Sequence, residues 1–529
     1  MKKILYNIIG AACMAGTLAS CSDFLEIKSQ NEIILEDFWK DEADVEAIIA
    51  GCYTAMQSDA AVRRMIVWGE ARTDNVQTGT GLAANDFNLG EVLNENIKAT
   101  NGYTSWDVFY TVINRCNTVI KYAPQVAETD PGYTQSELKA HIAEVSALRD
   151  LCYFYLMRTF RNVPYSNEAY INDDQEMALP PTDFYELLDI LIADLESIQN
   201  NVVGYYSESK TGYQTGRITK AAVWSMLCEM YLWKQDYANC IKYADLVIDH
   251  MIERTDKQKT SAGVAGADVA RFKGSVTGID YPLISDFSSS SLFGYAYRNI
   301  FTTGMSQETI FELIYDKDKP GDGMLPNSAT GALYGRQFIS PSTAVVNDIT
   351  STSERKIFTN ESQYLDSRLY ENVSATGEIA KFVYKYITID ATSATNVATL
   401  YSDAYRYERK NNVDHYYSSA NWIIYRLTDI MLLKAEALCQ MITDDDSEED
   451  NNIKAKAFEL VEVVYKRSIC KNTLGENDAT LLKQANYNTK LAMENLVLAE
   501  RQRELMFEGK RWYDLVRRSM RDGNTEKLL

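Results

Sequence analysis

The residues most able to do chemistry form few recognisable constellations. Asp316 and Asp318, with Gly321, stand at positions 1, 3 and 6 of a calcium-loop pattern. Pro320 replaces the third oxygen ligand and Asn327 the closing glutamate. A Gly/Pro turn is therefore the simpler reading of this stretch. Gly509-Lys510 lacks both the glycine spacing and the Ser/Thr of a phosphate-binding loop. No GxSxG or HExxH occurs. His141, His250 and His415 lie far apart and near no cysteine pair, so no zinc centre is expected. With 74 acidic residues, a catalytic carboxylate pair cannot be singled out by spacing. The net charge of −21 opposes a nucleic-acid partner. No catalytic residue, metal or cofactor is expected from these patterns.

One cysteine does carry a signal. The chain opens MKKILYNIIGAACMAGTLASC: two lysines, an apolar run from Ile4 to Ala19, then small residues before Cys21. The run is short for a membrane span and suits a cleaved export signal over residues 1–20. Leu18-Ala19-Ser20-Cys21 resembles a bacterial lipobox, which implies acylation of Cys21 and a lipid anchor. The later cysteines (Cys52, Cys116, Cys152, Cys228, Cys240, Cys439 and Cys470) are odd in number and form no CxxC. Most sit in helical patterns, so reduced core thiols are expected rather than a disulfide framework.

Helical periodicity fills two blocks, about 40–251 and about 420–520. The expected helices are Ala43–Met56, Trp106–Ala123, Ser136–Phe160, Thr182–Gln199, Thr219–Lys234, Tyr237–His250, Trp422–Met441, Asn452–Arg467 and Tyr487–Met520, the last broken near Gly509. Trp224, Leu227, Cys228 and Tyr231, then Cys240, Ala244 and Val247, resemble a tetratricopeptide hairpin with small residues at the helix crossing. Residues of about 252–419 are rich in Gly, Ser, Thr, Asp and Asn, with short strands expected near 378–389. The stretch 70–105 is likewise irregular. Long loops on a rigid scaffold tend to carry function. Asp444–Asp450 reads as a solvated turn between helices.

The segment Arg501–Arg521 (RQRELMFEGKRWYDLVRRSMR) is basic and aromatic within an acidic chain. Leu498, Leu505, Trp512 and Val516 make one helical stripe. Spacing pairs Glu500 with Arg503, Glu508 with Arg511, Lys510 with Asp514, and Asp514 with Arg517 and Arg518. A packed helix with matched charges is expected, not a nucleic-acid surface.

That segment, ERQRELMFEGKRWYDLVR, closely resembles the C-terminal signature of the SusD/RagB family of nutrient-binding outer-membrane lipoproteins of Bacteroidetes. DFLEIKSQNEIILEDFWKDEADVEAIIAGCYTAM, WDVFYTVINRCNTVI, EVSALRDLCYFYLMRTFRNVP, GRITKAAVWSMLCEMYLW and YRLTDIMLLKAEAL extend the likeness, in order, along the chain. The resemblance implies a mainly α, SusD-like fold over 21–529: about four tetratricopeptide-like pairs plus a loop-rich ligand side. It also implies a non-catalytic surface protein that passes an oligosaccharide, or a peptide, to a SusC-type TonB-dependent transporter. A lipid-anchored glycoside hydrolase and a protein-binding assembly lipoprotein are the rival readings.

A sugar wants an aromatic platform for its C–H face and planar polar groups for its hydroxyl rim, both exposed and pre-positioned. Tyrosine, at 35 copies, suits that role, although most copies are expected at helix edges. In the early loop the candidates are Arg72, Asp74, Asn75, Asn85 and Asn88, with Trp68 at its edge. In the central region they are Tyr281, Phe293, Tyr295, Tyr297, Tyr334 and Arg336. An extended SLFGYAYRN would set Tyr295 and Tyr297 on one face.

Overall fold

The computed structural model describes residues 38–524 except 83–85, 173, 262–268, 285–294, 316–326, 346–356, 359–365, 374–382, 387–419 and 469–481. The export signal with Cys21, the loop Asp316–Gly323, Cys470 and His415 lie outside the described residues, as does most of 378–389.

The first block folds into helices α1 (Glu42–Met56), α2 (Asp59–Glu70), α3 (Phe87–Leu93), α4 (Asp107–Thr129), α5 (Gln135–Phe160), α6 (Phe184–Ile198), α7 (Lys220–Trp233) and α8 (Tyr237–Ser261). The second holds α9 (Leu427–Met441), α10 (Glu448–Ser468), α11 (Lys490–Leu505) and α12 (Arg511–Asp522). Side-chain caps fix several starts: Asp41 and Thr134 form capping boxes with Asp44 and Glu137, and Ser58, Asp183 and Thr489 cap α2, α6 and α11. Hairpins α4–α5, α7–α8 and α9–α10 pack successively, α8 bridging to α9. Cys228 and Cys240 meet at the α7–α8 crossing, Sγ to Sγ 3.7 Å, where the repeat needs small residues. The six described cysteines Cys52, Cys116, Cys152, Cys228, Cys240 and Cys439 are free and buried.

Four two-stranded antiparallel ribbons stitch the irregular segments to this scaffold. They pair β1 (Val76–Thr78) with β7 (Ile339–Pro341), β2 (Val163–Pro164) with β3 (Pro181–Thr182), β4 (Val269–Lys273) with β5 (Asp280–Ile284), and β6 (Thr309–Leu313) with β8 (Trp422–Arg426). β8 corrects the helix expected from Trp422. Its first five residues are a fully buried strand, because β6 supplies ladder partners that a helix would forgo. Helix α2 was not expected, and α8 runs eleven residues past His250 to Ser261.

The C-terminal segment packs as a broken helix, the backbone turning at Phe507 and Gly509, whose φ values are +67° and +69°. Its charges are matched mainly across the fold, not along the helix. The i,i+3 pairs Glu500–Arg503 and Asp514–Arg517 form at 2.7 and 2.8 Å. Glu508 instead pairs with Lys385 and Arg426, Lys510 with Asp429, Arg511 with Asp74, and Arg518 with Glu494 and Asp522. The helix break rotates residues 508–511 away from the register that the spacing assumed.

The largest cluster sets Arg368, Lys385, Arg426, Arg467 and Arg503 against Glu308, Asp366, Glu500, Glu504 and Glu508, all buried. Glu504 is its hub: Oε1 accepts from Arg426 (2.6 Å) and Arg467, and Oε2 from Arg368 (3.1 Å). Burial alone would raise the Glu504 carboxyl, but the three guanidiniums hold it well below the usual range. Burial lowers the Lys385 ammonium to about 8, with Glu508 opposing.

Candidate functional site

The early loop leaves α2 at Glu70, and that residue ties it to the far end of the chain. Glu70 is fully buried and accepts from Asn75 Nδ2 (2.8 Å) and from the backbone N–H groups of Phe507 (3.1 Å) and Gly509 (3.2 Å). Gln502 Nε2 donates to Asn75 Oδ1 and to Asp74 Oδ2, both at 2.9 Å. Arg511 clamps Asp74 through Nε (2.9 Å) and Nη2 (2.8 Å), and the Arg72 guanidinium lies 3.9 Å from the centre of the Trp512 ring. Burial would raise the Asp74 carboxyl, but Arg511 outweighs it and sets it below the ordinary value. The C-terminal turn thus fixes where the loop begins.

Burial raises the Glu70 carboxyl to about 7, against the bonds that favour its charge. Since the folded value exceeds the unfolded one, Glu70 favours folding below about pH 4.5, and that contribution disappears as pH rises through about 7. Glu70→Gln keeps a neutral group at all pH. The variant should therefore gain stability relative to the parent between pH 5 and 8, by up to about 3 kcal/mol, in paired urea titrations.

The loop next joins the central region. β1 pairs with β7 in the register Val76↔Pro341, Gln77↔Ser340, Thr78↔Ile339. The contact continues past the strands: Gly79 N–H donates to Phe338 O and Gly81 N–H to Gln337 O, each at 3.0 Å, and Thr80 Oγ1 donates to Gln337 Oε1 at 2.9 Å. Gln77, Thr78, Thr80 and Arg336 are exposed along this seam, with Gln77 and Thr78 on opposite faces of β1. At its edge stands α3. Asp86 caps it by accepting from Leu89 N–H (2.9 Å) and also receives the Tyr103 hydroxyl (2.6 Å). Asn88 Oδ1 accepts from Gly102 N–H (3.0 Å). The first helical residue, Phe87, is 73% exposed, with the Lys98 ammonium 5.9 Å from its ring centre. Phe87 is thus a large aromatic held in solvent on a capped and braced helix.

The structure thus unites the two regions singled out in the sequence but redistributes their residues. Arg336 is exposed, Asp74 and Arg72 lie at the clamped base of the loop, and half-buried Asn88 braces the 102 turn. Five expected contact residues are instead core. The Trp68 indole N–H donates to Tyr103 O (2.7 Å), and its ring stacks on Phe109. Asn75 is inside the Glu70 clamp. Tyr281 lies in buried β5, its hydroxyl on Glu459. The Tyr297 and Tyr334 hydroxyls donate to Glu504 O (3.2 Å) and Phe507 O (3.1 Å), carbonyls left without helical partners where α11 ends. They share those carbonyls with Arg426 and Lys385 at Glu504 and with Tyr386 at Phe507. Tyr295 and Tyr297 lie in a helical turn rather than on one face of an extended segment. Asn85 and Phe293 are outside the described residues. Phe87 was missed in the sequence; its signal was an isolated aromatic directly after an Asp cap. Among the described residues no group of three His, Cys, Asp or Glu stands where it could hold a metal ion.

Comparison with known proteins shows what the chain is similar to. A model described as the SusD family matches residues 302–528, and one described as "Starch-binding associating with outer membrane" matches residues 23–232. SusD-like protein P38 of Formosa agariphila is 27% identical over 513 residues, covering 95% of this chain and 89% of that protein. SusD-like protein P2 of the same organism is 25% identical, covering 95% and 88%. Among solved structures, a SusD superfamily protein from Bacteroides thetaiotaomicron superposes with a TM-score of 0.58 at 21% identity, covering 92% of each chain. A laminarin-binding SusD-like protein gives 0.59 at 19% identity, covering 93% of each. These likenesses in structure establish the fold.

Proposed function

Because the chain belongs to the SusD family, we propose that it is a surface lipoprotein that holds an oligosaccharide and hands it to a SusC-type transporter. The observation that carries the reading is the surface made where β1 meets β7, with exposed Phe87 at its edge. The Phe87 ring offers a flat apolar face to a sugar ring, while Thr78 and Thr80, exposed along the seam, offer hydroxyls to its rim. The neighbour that binds laminarin makes a β-glucan a rational first ligand to try. Acylation at Cys21 would tether the chain to the outer membrane, consistent with the family description. The partner would supply the energy of transport, so this chain's part is capture and not bond cleavage.

The test is calorimetric titration of the full chain in detergent with a panel of oligosaccharides, laminarin fragments included. One of them should bind, and Phe87→Ala should weaken it about tenfold. Steady release of reducing sugar would replace this reading with a hydrolase, and affinity for peptides alone would make the protein a peptide receptor.

A further inference from the structure

The helical scaffold, away from the loop surface, contains a second feature built to receive a ligand atom. A narrow recess opens between α6, α7, α8, α9 and α12. Its free interior is roughly that of one water-sized group. Trp233, Arg517 and Arg521 line it; Trp233 Nε1 and Arg517 Nη1 are buried without a hydrogen-bond partner, and Arg521 Nη2 has only Glu494 Oε1 at 3.6 Å. Trp233 and Arg517 are each only 4% exposed. Buried donors without partners cost stability, so two on one recess, with a third weakly engaged, call for an acceptor.

The surroundings narrow its chemistry. The two guanidiniums already face four carboxylates: Arg517 those of Glu436 and Asp514, Arg521 those of Glu436, Glu494 and Asp522. An incoming anion would meet those acids, so a neutral group is favoured. A hydroxyl would also need an acceptor for its own hydrogen. Glu436, at the recess, already accepts from Arg517 with both oxygens. A carbonyl oxygen has two lone pairs and no hydrogen, which matches a site of donors. Tyr185, 42% exposed, and half-buried Tyr237 line the same recess and offer apolar cover to whatever carries that carbonyl.

We propose that this recess binds the carbonyl oxygen of an amide, presented by an N-acylated sugar or by a peptide. The proposal is independent of the Phe87 surface. To test it, the full chain in detergent is labelled with ¹⁵N at its tryptophan indoles, and the Trp233 signal is assigned with Trp233→Phe. N-acetylglucosamine or N-acetylglycine methylamide should shift that signal saturably, while glucose and acetate should not. Arg521→Met, which leaves the reporter in place, should weaken the response about tenfold. A response to the sugar alone would assign the source to acylated glycans, and to the blocked glycine alone to polypeptide; either supports the proposal. Shifts with acetate or glucose, no shift with any probe, or an Arg521→Met response equal to the parent's would overturn it.

Discussion

Glu504→Gln should destabilise the protein by about 3–5 kcal/mol, the largest single loss expected in this fold. The carboxylate receives Arg426, Arg467 and Arg368 in a site where all four side chains are at most 1% exposed. Five cations there balance five carboxylates. Neutralising one anion leaves an uncompensated positive charge that water cannot reach. The measurement is urea unfolding at neutral pH, with Glu253→Gln as the comparison. Glu253 pairs with Lys257 on the surface, both more than half exposed, and its replacement should leave stability nearly unchanged. A Glu504→Gln loss no larger than that control would mean that the cluster is hydrated.

Gly69→Ala is the second. A Cβ at Gly69 would lie 1.9 Å from Gly509 O and 2.4 Å from its carbonyl carbon. The obstacle is backbone, so no rotamer relieves it, and α2 must separate from the C-terminal turn. That separation breaks the bonds from Phe507 and Gly509 N–H to Glu70. Overpacking and the lost buried bonds together should cost about 3–4 kcal/mol. Because the early loop starts at Glu70, the oligosaccharide affinity we propose should fall with stability, which thermal melting and titration on one preparation would show. Gly51, also inside a helix, has only Arg115 Nη1 at 3.8 Å, so Gly51→Ala should be neutral or stabilising. If Gly69→Ala behaves like Gly51→Ala, the contact between the two segments is not close.

Much of the scaffold was legible in the sequence, for identifiable reasons. Helices α4 to α7 carry their apolar residues at helical spacing, and their limits fall within a few residues of expectation except at the end of α4. There Pro124 is accommodated and the helix continues to Thr129. Trp422–Arg426 failed because a short buried apolar run has no period that separates strand from helix. Helix α2 was missed because Met65 to Trp68 is a continuous apolar run closed by a glycine, which blurs its buried face.

The site was less legible because its partners are remote. Spacing suggested Arg511 for Glu508, whereas the fold gives it Asp74, 437 residues away. Tyrosine type alone could not separate Tyr334, which serves a carbonyl at a helix break, from a ring open to ligand. The pairing of β1 with β7 joined the two candidate regions. Which residues it left in solvent, and that Phe87 was among them, depended on packing that no local pattern encodes.

The clamp on Glu70 also constrains how the molecule is made. Its donors at Phe507 and Gly509 lie 437 and 439 residues beyond Glu70, so the early loop cannot latch until synthesis has passed them. Closing a chain separation that long is entropically slow, and it follows assembly of the intervening hairpins. A polypeptide cut short before Phe507 could stack most of its repeats and still present an unlatched loop. The seam between β1 and β7 would then settle only after the hairpins that separate its two strands in the chain.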